Sequence, residues 1–407
     1  MAKRTGVPSR WVVVGLLAVG NAACSAGEQP RVRAVVRDSA GITIVENSVP
    51  LWRDEEEWRL TAEPVVQIGV VMGAPEYQLH NVVGATRLAD GRIAVANGSS
   101  GEIRFYDPSG RFISLAGRPG EGPGEFGSLG MLFRLGDSLV AYDYQLRRLS
   151  IFDDEGTFAR SFTLEVPPGR SGLSPRGALA DRTLLVSTIR IFVHGEAKPG
   201  VSRDTALYLR YDFDGALVDS IGRFPGVQHL VRVNGEAMSV SSLPFGSRAS
   251  TAIGGSGFFY GASDSYEIRR YAADGTLEML IRRLVEPRRV TPEDVSGYKE
   301  QVLTAVGPRN RQAAERMLAE IPFPETMPAF AQLQVDAAGN LWVEEYRSPA
   351  DRHPPRWTIF DPTGQMLGTI ETPDRFTIFE IGEDYVLGRW IDNFDIEYVR
   401  LYGLIKP

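Results

Sequence analysis

An all-β fold of repeated four-stranded antiparallel meanders is predicted by three observations. An alternating strand closed by an Asp- and Gly-containing turn recurs five times: Ile103-Arg-Phe-Tyr-Asp-Pro-Ser-Gly110, Leu149-Ser-Ile-Phe-Asp-Asp-Glu-Gly156, Leu209-Arg-Tyr-Asp-Phe-Asp-Gly215, Ile268-Arg-Arg-Tyr-Ala-Ala-Asp-Gly275 and Trp357-Thr-Ile-Phe-Asp-Pro-Thr-Gly364. A short polar turn followed by an apolar strand precedes each of them, at 87–96, 133–141, 179–187, 253–261 and 335–343, and occurs once more at 379–387. The two turns are 19 residues apart between Gly91 and Gly110 and between Asp137 and Gly156, and 20 apart between Gly255 and Gly275 and between Glu383 and Gly403. A strand, a hairpin turn, two more strands and a second turn fit that spacing. Six such units repeated radially make a six-bladed β-propeller, in which each blade buries its apolar face on the next.

The first 26 residues read as a targeting segment rather than as fold. Lys3, Arg4 and Arg10 give a positive start, and residues 11–20 form an apolar run too short for a permanent membrane span. Small residues then lead to Cys24, the one cysteine of the chain, so no internal disulfide can form. Cleavage after Ala26 by an ordinary signal peptidase is one outcome, and lipidation of Cys24 is the other. Residues 27–40 are expected as a linker and 41–407 as the propeller. Within it, 41–45 reads as a further strand at a sheet edge. The last unit stops after its third strand, so its outer strand must come from the N-terminal side, at 59–69. Closure of the ring by both termini removes exposed sheet edges.

Two units are longer, 34 residues from Asp181 to Gly215 and 25 from Gly339 to Gly364, and carry inserts. Residues 224–250 are expected as a long hairpin or lid. Residues 287–330 interrupt the repeat as a helical excursion, with its helices at about 291–321. Thr291-Pro-Glu-Asp294 reads as an N-cap with Pro at the first helical position and acids in the first turn. Ala313, Met317, Leu318 and Ile321 are expected to share one side of the second helix. The excursion either caps a channel mouth and presents a partner surface, or covers a blade edge.

Composition narrows the function classes. A hydrophobic content of 43% over 407 residues suffices for a core, and 43 glycines suit many tight turns. A net charge of −7 argues against a nucleic-acid-binding surface. The four histidines, His80, His194, His229 and His353, show no close metal-ligand spacing, and His194 and His353 read as solvent-facing loop residues. Gly254-Gly-Ser-Gly257 belongs to a hairpin rather than a nucleophile elbow, and the glycines at 120–124 lack the Lys-Ser/Thr ending of a phosphate loop.

In such a fold the segments leading into the innermost strands gather on one face, around one mouth of the central channel. The polar residues there, His80, Arg176, Arg248, Glu325 and Arg375, are the expected ligand-binding set. Three arginines and a histidine on a rim suit an anionic group such as a carboxylate or sugar acid. The same side chains also suit bonding to the carbonyls and turns of neighbouring blades.

The phrase Gly117-Arg-Pro-Gly-Glu-Gly-Pro-Gly-Glu-Phe126, with the aromatic-Asp-x-x-Gly turns, resembles the NHL-repeat six-bladed propellers, and among them the exported bacterial group of lipoprotein type. The resemblance covers about residues 40–407. It implies fold more than function, because this fold hosts binding proteins, lactonases, lyases and receptor ectodomains. Residues 1–26 likewise resemble a bacterial lipoprotein signal. That implies lipidation of Cys24, although Asn21 stands where a Leu-like residue is usual, and Ser25 then favours the outer membrane over the periplasm. The only membrane attachment expected is that N-terminal lipid anchor.

The function expected is therefore an exported, envelope-associated module that binds a protein of the envelope or a small anionic or sugar ligand through one face of the disc. No cofactor and no catalytic residue is expected. The alternative implied by the resemblance is a metal-dependent hydrolase or lactonase holding a cation, calcium, in the central channel. Its oxygen ligands would come from Glu76, Asn81, Asn97, Asp143, Glu344 and Asp392.

Overall fold

The computed structural model describes residues 33–53, 56–168, 172–189, 198–235 and 237–407. The targeting segment, Cys24 and His194 lie outside the described residues. The fold is all-β with a small helical insert. Among the described residues the strands form six sheets, each built on an antiparallel meander in chain order. The first contains Val82–Arg87, Ile93–Asn97, Glu102–Tyr106 and Phe112–Ala116, and the second Leu129–Leu135, Ser138–Asp143, Arg148–Phe152 and Phe158–Thr163. The third contains Gly172–Ala178, Leu184–Ile189, Gly200–Tyr211 and Leu217–Asn234, with Ala237–Ser242 added, so the region read as a hairpin or lid is a long hairpin. The fourth runs from Ala249–Gly254 through Gly257–Ala262 and Glu267–Ala272 to Leu277–Arg283. Leu333–Val335, Leu341–Glu344, Arg356–Phe360 and Met366–Glu371 make the fifth, and Phe376–Ile381, Tyr385–Ile391 and Glu397–Ile405 the sixth.

The N-terminal side serves two sheets. Ile42–Asn47 pairs in parallel with Leu277–Arg283 of the fourth sheet, and Ala34–Ser39 pairs antiparallel with it. Part of the stretch read as a linker, 27–40, is thus strand. Arg59–Leu60 and Val66–Ile68 pair antiparallel with Glu397–Ile405, supplying the outer strand that the sixth sheet lacks. Asn47 ties the hairpin down: its Nδ2 donates to Gly364 O at 2.9 Å and Arg282 O at 3.2 Å, and its Oδ1 accepts from Met366 N at 2.8 Å.

The recurrent turn has one chemistry. Asp107 Oδ1 accepts from Ser109 N at 2.9 Å and Arg111 N at 3.0 Å, while Gly110, at φ +85°, donates back to Asp107 O at 2.8 Å. Asp153, Asp212 and Asp361 repeat the pattern. A short carboxylate and a residue free at positive φ suit this turn, and Asp and Gly meet those needs in the four copies.

Six apolar cores each join two sheets. One lies between the first and second (Phe105, Leu139, Phe152), the next between second and third (Tyr142, Leu149, Tyr211), then third and fourth (Tyr208, Phe224, Phe258). The others lie between fourth and fifth (Ile268, Phe330, Phe360), fifth and sixth (Trp342, Trp357, Tyr402), and sixth and first (Leu401, Ile68, Val95).

The helical insert comprises α1 (Pro292–Ala305) and α2 (Arg311–Ala319), joined by a 3₁₀ turn at Pro308–Asn310. Thr291 caps α1 through a reciprocal bond pair with Asp294. The expected face of α2 is corrected by one residue: Ala314 and Leu318 are buried, whereas Met317 is 40% exposed. Ala314 and Leu318 are one turn apart and share the face that packs inward, while Ala313 and Met317 lie about 100° round the helix from them. No helix among the described residues is long and apolar enough to cross a membrane.

Candidate functional site

A cavity of about 1070 Å³ is lined by the first strand of all six sheets. Three arginines reach it: Arg87 at the end of the first sheet's innermost strand, Arg134 in the second and Arg176 in the third. Gln334 of the fifth sheet and Glu380 of the sixth face them across the same space.

Two of the four carboxylates that line it, Glu380 and Asp336, are already engaged. Glu380 accepts from Thr86 Oγ, from Tyr385 OH and, at 3.3 Å, from Arg87 N. Burial, then the charge of Glu380, holds the Tyr385 phenol far above its usual range, so it stays the donor. Asp336 accepts from Ala338 N, Asn340 N and Trp342 Nε1 and closes its own turn. The guanidinium groups are not neutralised to the same degree. Arg87 lies over the Tyr385 ring at 4.8 Å and meets only the exposed Asp384, at 3.6 Å. Arg134 donates to two carbonyls, Arg87 O at 2.7 Å and Gly136 O at 3.1 Å. Arg176 donates through Nε to Ser187 Oγ at 3.0 Å. Neither Arg134 nor Arg176 forms an ion pair among the described residues. The cavity thus gathers three guanidinium groups, two of them without a carboxylate partner among the described residues, beside the carboxylates of Asp336, Glu380, Glu383 and Asp384.

Of the residues expected to form one rim, only Arg176 lines this cavity. Arg248 lines a separate pocket of about 460 Å³ with residues of α1 and the loop after Leu341–Glu344. His80 is exposed, with its Nδ1 2.6 Å from Ser99 Oγ. Arg375, at φ +58°, pairs with Asp395 at 2.5 Å. Glu325 is exposed and accepts Val290 N through its backbone carbonyl. These five side chains do not line one cavity. Arg87, Arg134 and Glu380 were not singled out as ligand residues, although a signal was present. Aligned on the turn that follows the first strand, Arg87, Arg134, Gln334 and Glu380 occupy one step, just before the apolar residue that opens the turn.

Three of the six oxygen ligands expected for a cation bond the backbone. Asp143 accepts from Gly127 N, Ser128 N and Leu146 N; Asn97 Oδ1 accepts from His80 N; Asp392 accepts from Phe394 N and Ile396 N. Asn97 and Asp143 end the second strands of their sheets and pin the segments that lead into the first strands. No three His, Cys, Asp or Glu side chains are grouped as a metal ion requires among the described residues.

No protein-family model matches the chain, and no curated protein matches it in sequence. Solved structures of propeller type resemble it at low identity. A Bacteroides fragilis protein described as exported is 13% identical with a TM-score of 0.47, the match covering 89% of this chain and 98% of that one. The calcium-binding protein regucalcin from Agrobacterium tumefaciens is 11% identical (TM-score 0.40; 86% and 96% covered). Virginiamycin B lyase from Staphylococcus aureus is also 11% identical (TM-score 0.39; 86% and 100% covered).

Proposed function

We propose that the chain is an exported six-bladed β-propeller that binds a small organic anion in the cavity at the centre of its ring. The observation that carries this reading is the convergence of three guanidinium groups, those of Arg87, Arg134 and Arg176, on one cavity in which Glu380 and Asp336 already spend their oxygens on neighbouring donors. Guanidinium groups short of carboxylate partners receive carboxylates through paired N–H donors. The six-blade reading is supported by six cores that pair the sheets in cyclic order. Closure by residues 59–68 is supported by their pairing with Glu397–Ile405. Export rests on residues 1–26, with Cys24 as the anchoring residue.

The test is isothermal titration of the purified protein with succinate, citrate and gluconate, and with uncharged polyols of the same size. Binding of at least one anion, weakened about tenfold or more by Arg134→Gln combined with Arg176→Gln, is expected for lost charge-assisted bonds of roughly 1.5–3 kcal/mol each. Anions that bind no better than the polyols, or that ignore both substitutions, would sink the proposal. Binding that requires added calcium would move the reading to a metal-dependent hydrolase.

A further inference from the structure

The 460 Å³ pocket beneath α1 has a chemistry of its own. It lies between α1, the segment leading into Ala249–Gly254, and the loop that follows Leu341–Glu344, and none of its residues lines the central cavity. Its cation is Arg248, whose guanidinium is exposed and forms no ion pair among the described residues. The neighbouring Arg347, by contrast, is directed to Asp374 at 2.9 Å, and Glu345 is held between Arg283 and Arg356. The walls carry Tyr298 and Gln301 of α1, together with Tyr346 and the half-buried Glu344.

The pocket is built rather than incidental. Phe245 stands at φ +58°, a left-handed conformation that is uncommon for a bulky residue and costs about 1–3 kcal/mol. Two rings hold it there, Tyr298 at 5.8 Å and Phe323 at 5.6 Å, and these two lie 5.9 Å from each other. The strained backbone turns the segment that delivers Arg248 three residues later. Across the pocket, α1 is fixed to the facing loop by Ser348 Oγ, which donates to Asp294 at 2.6 Å. One unneutralised guanidinium, aromatic side walls, and an amide and a carboxyl that accept hydroxyl groups make a site for a hydroxylated ring bearing one carboxylate.

We propose that this pocket is a second ligand site, separate from the central cavity, for a sugar acid of the uronic type. Arg248 receives the carboxylate, Tyr298 and Tyr346 flank the ring, and Gln301 and Glu344 take its hydroxyls. The central-cavity reading is not needed for this one.

The test is titration of the purified protein with D-glucuronate and D-glucose, repeated on Arg248→Gln, on Tyr298→Ala and on the Arg134→Gln, Arg176→Gln pair. Circular dichroism and melting temperature confirm that each variant folds. The expected result is glucuronate binding at least tenfold tighter than glucose, a loss of tenfold or more in Arg248→Gln, a smaller loss in Tyr298→Ala, and no change in the cavity pair. Absence of glucuronate binding overturns the proposal, as does equal binding of glucose. Retention in Arg248→Gln overturns it as well. Loss in the cavity pair instead of Arg248→Gln also overturns it, while leaving the central-cavity reading standing.

Discussion

The Asp294 carboxylate, 1% exposed, accepts a 2.6 Å hydrogen bond from Ser348 Oγ, and this contact joins the helical insert to the fifth sheet. The same carboxylate accepts from Thr291 N at the α1 cap and from Arg288 Nη2 at 2.8 Å, and Arg288 also reaches Asp351 at 2.7 Å. At Gly297 of α1 an added Cβ would stand 3.3–3.5 Å from Ala350, so helix and loop are in close contact there. A small buried polar network thus fixes α1 to this loop, beside the aromatic contact of Tyr298 with Phe245.

Asp294→Ala is expected to release α1 from that loop. It strands the donors of Ser348, Thr291 and Arg288, a loss of about 2–4 kcal/mol. Hydrogen exchange should show the loss in residues 292–305 and 345–351, with the six sheets unchanged. Burial pushes the Asp294 carboxyl up, but bonds from Ser348 and Thr291 outweigh it and leave the group below its ordinary value. A depressed acid contributes stability that is present above its unfolded value, near pH 4, and is lost as pH falls through the folded one. Docking should therefore be constant through neutral and mildly acid pH and weaken only below about pH 4. Protection of residues 292–305 that already falls at pH 5–6 would contradict this account.

Ile68 tests the pairing of the N-terminal side with the sixth sheet. It is 1% exposed and packs with Val66, Val399 and Leu401 against the first sheet. Ile68→Ala should cost about 2–4 kcal/mol, the usual range for a large-to-small change in a core. Replacing Val66 and Ile68 together by Asp should do more, because it detaches the outer strand and leaves the edge of Glu397–Ile405 open to other chains. Light scattering should then report oligomers at concentrations where the unaltered protein is monodisperse. A double variant that stays monodisperse with an unchanged melting temperature would refute the closure.

The turns were legible because one local chemistry repeats. Asp107, Asp153, Asp212 and Asp361 each bond the backbone two and four residues on, with a glycine at positive φ between. The pairing of 59–68 with the last strand was legible for a related reason, since a unit one strand short needs a partner. The residues facing the cavity were less legible, and β-bulges explain why. The first strands shift register between Val82 and Gly84, between Pro175 and Gly177, and between Ile378 and Glu380. Each shift moves the residues beyond it to the other face. His80, Arg248 and Arg375 lie in the segments before the first strands, outside the cavity that the strands themselves line. Counting backward from the turn reaches Arg87, Arg134 and Glu380. The Arg248 pocket needs α1 laid over it, and a long-range contact such as Asp294 to Ser348 leaves no mark in the spacing of either segment.

Glu344 offers a prediction in which stability and pH are linked. It ends the second strand of the fifth sheet, half-buried in the pocket beneath α1. Burial raises its carboxyl above the ordinary glutamate value, while a hydrogen bond with Gln332 and the charge of Arg347 pull it partly back. The folded state therefore holds this proton more tightly than the unfolded chain does. Stability from that preference is fully present below the unfolded value, near pH 4.3, and is lost as pH rises through the folded one. Glu344→Gln keeps the shape and removes the charge at every pH. The variant should match the parent protein at pH 4 and melt at a higher temperature at pH 7.5, with the gap opening between those values. Melting curves across that range decide the matter. A constant gap, or a variant less stable than its parent at pH 7.5, would mean that the ionised carboxylate is stabilised where it stands. Glu344 would then be the partner of a cation rather than a free acceptor for the hydroxyls of a sugar acid held by Arg248.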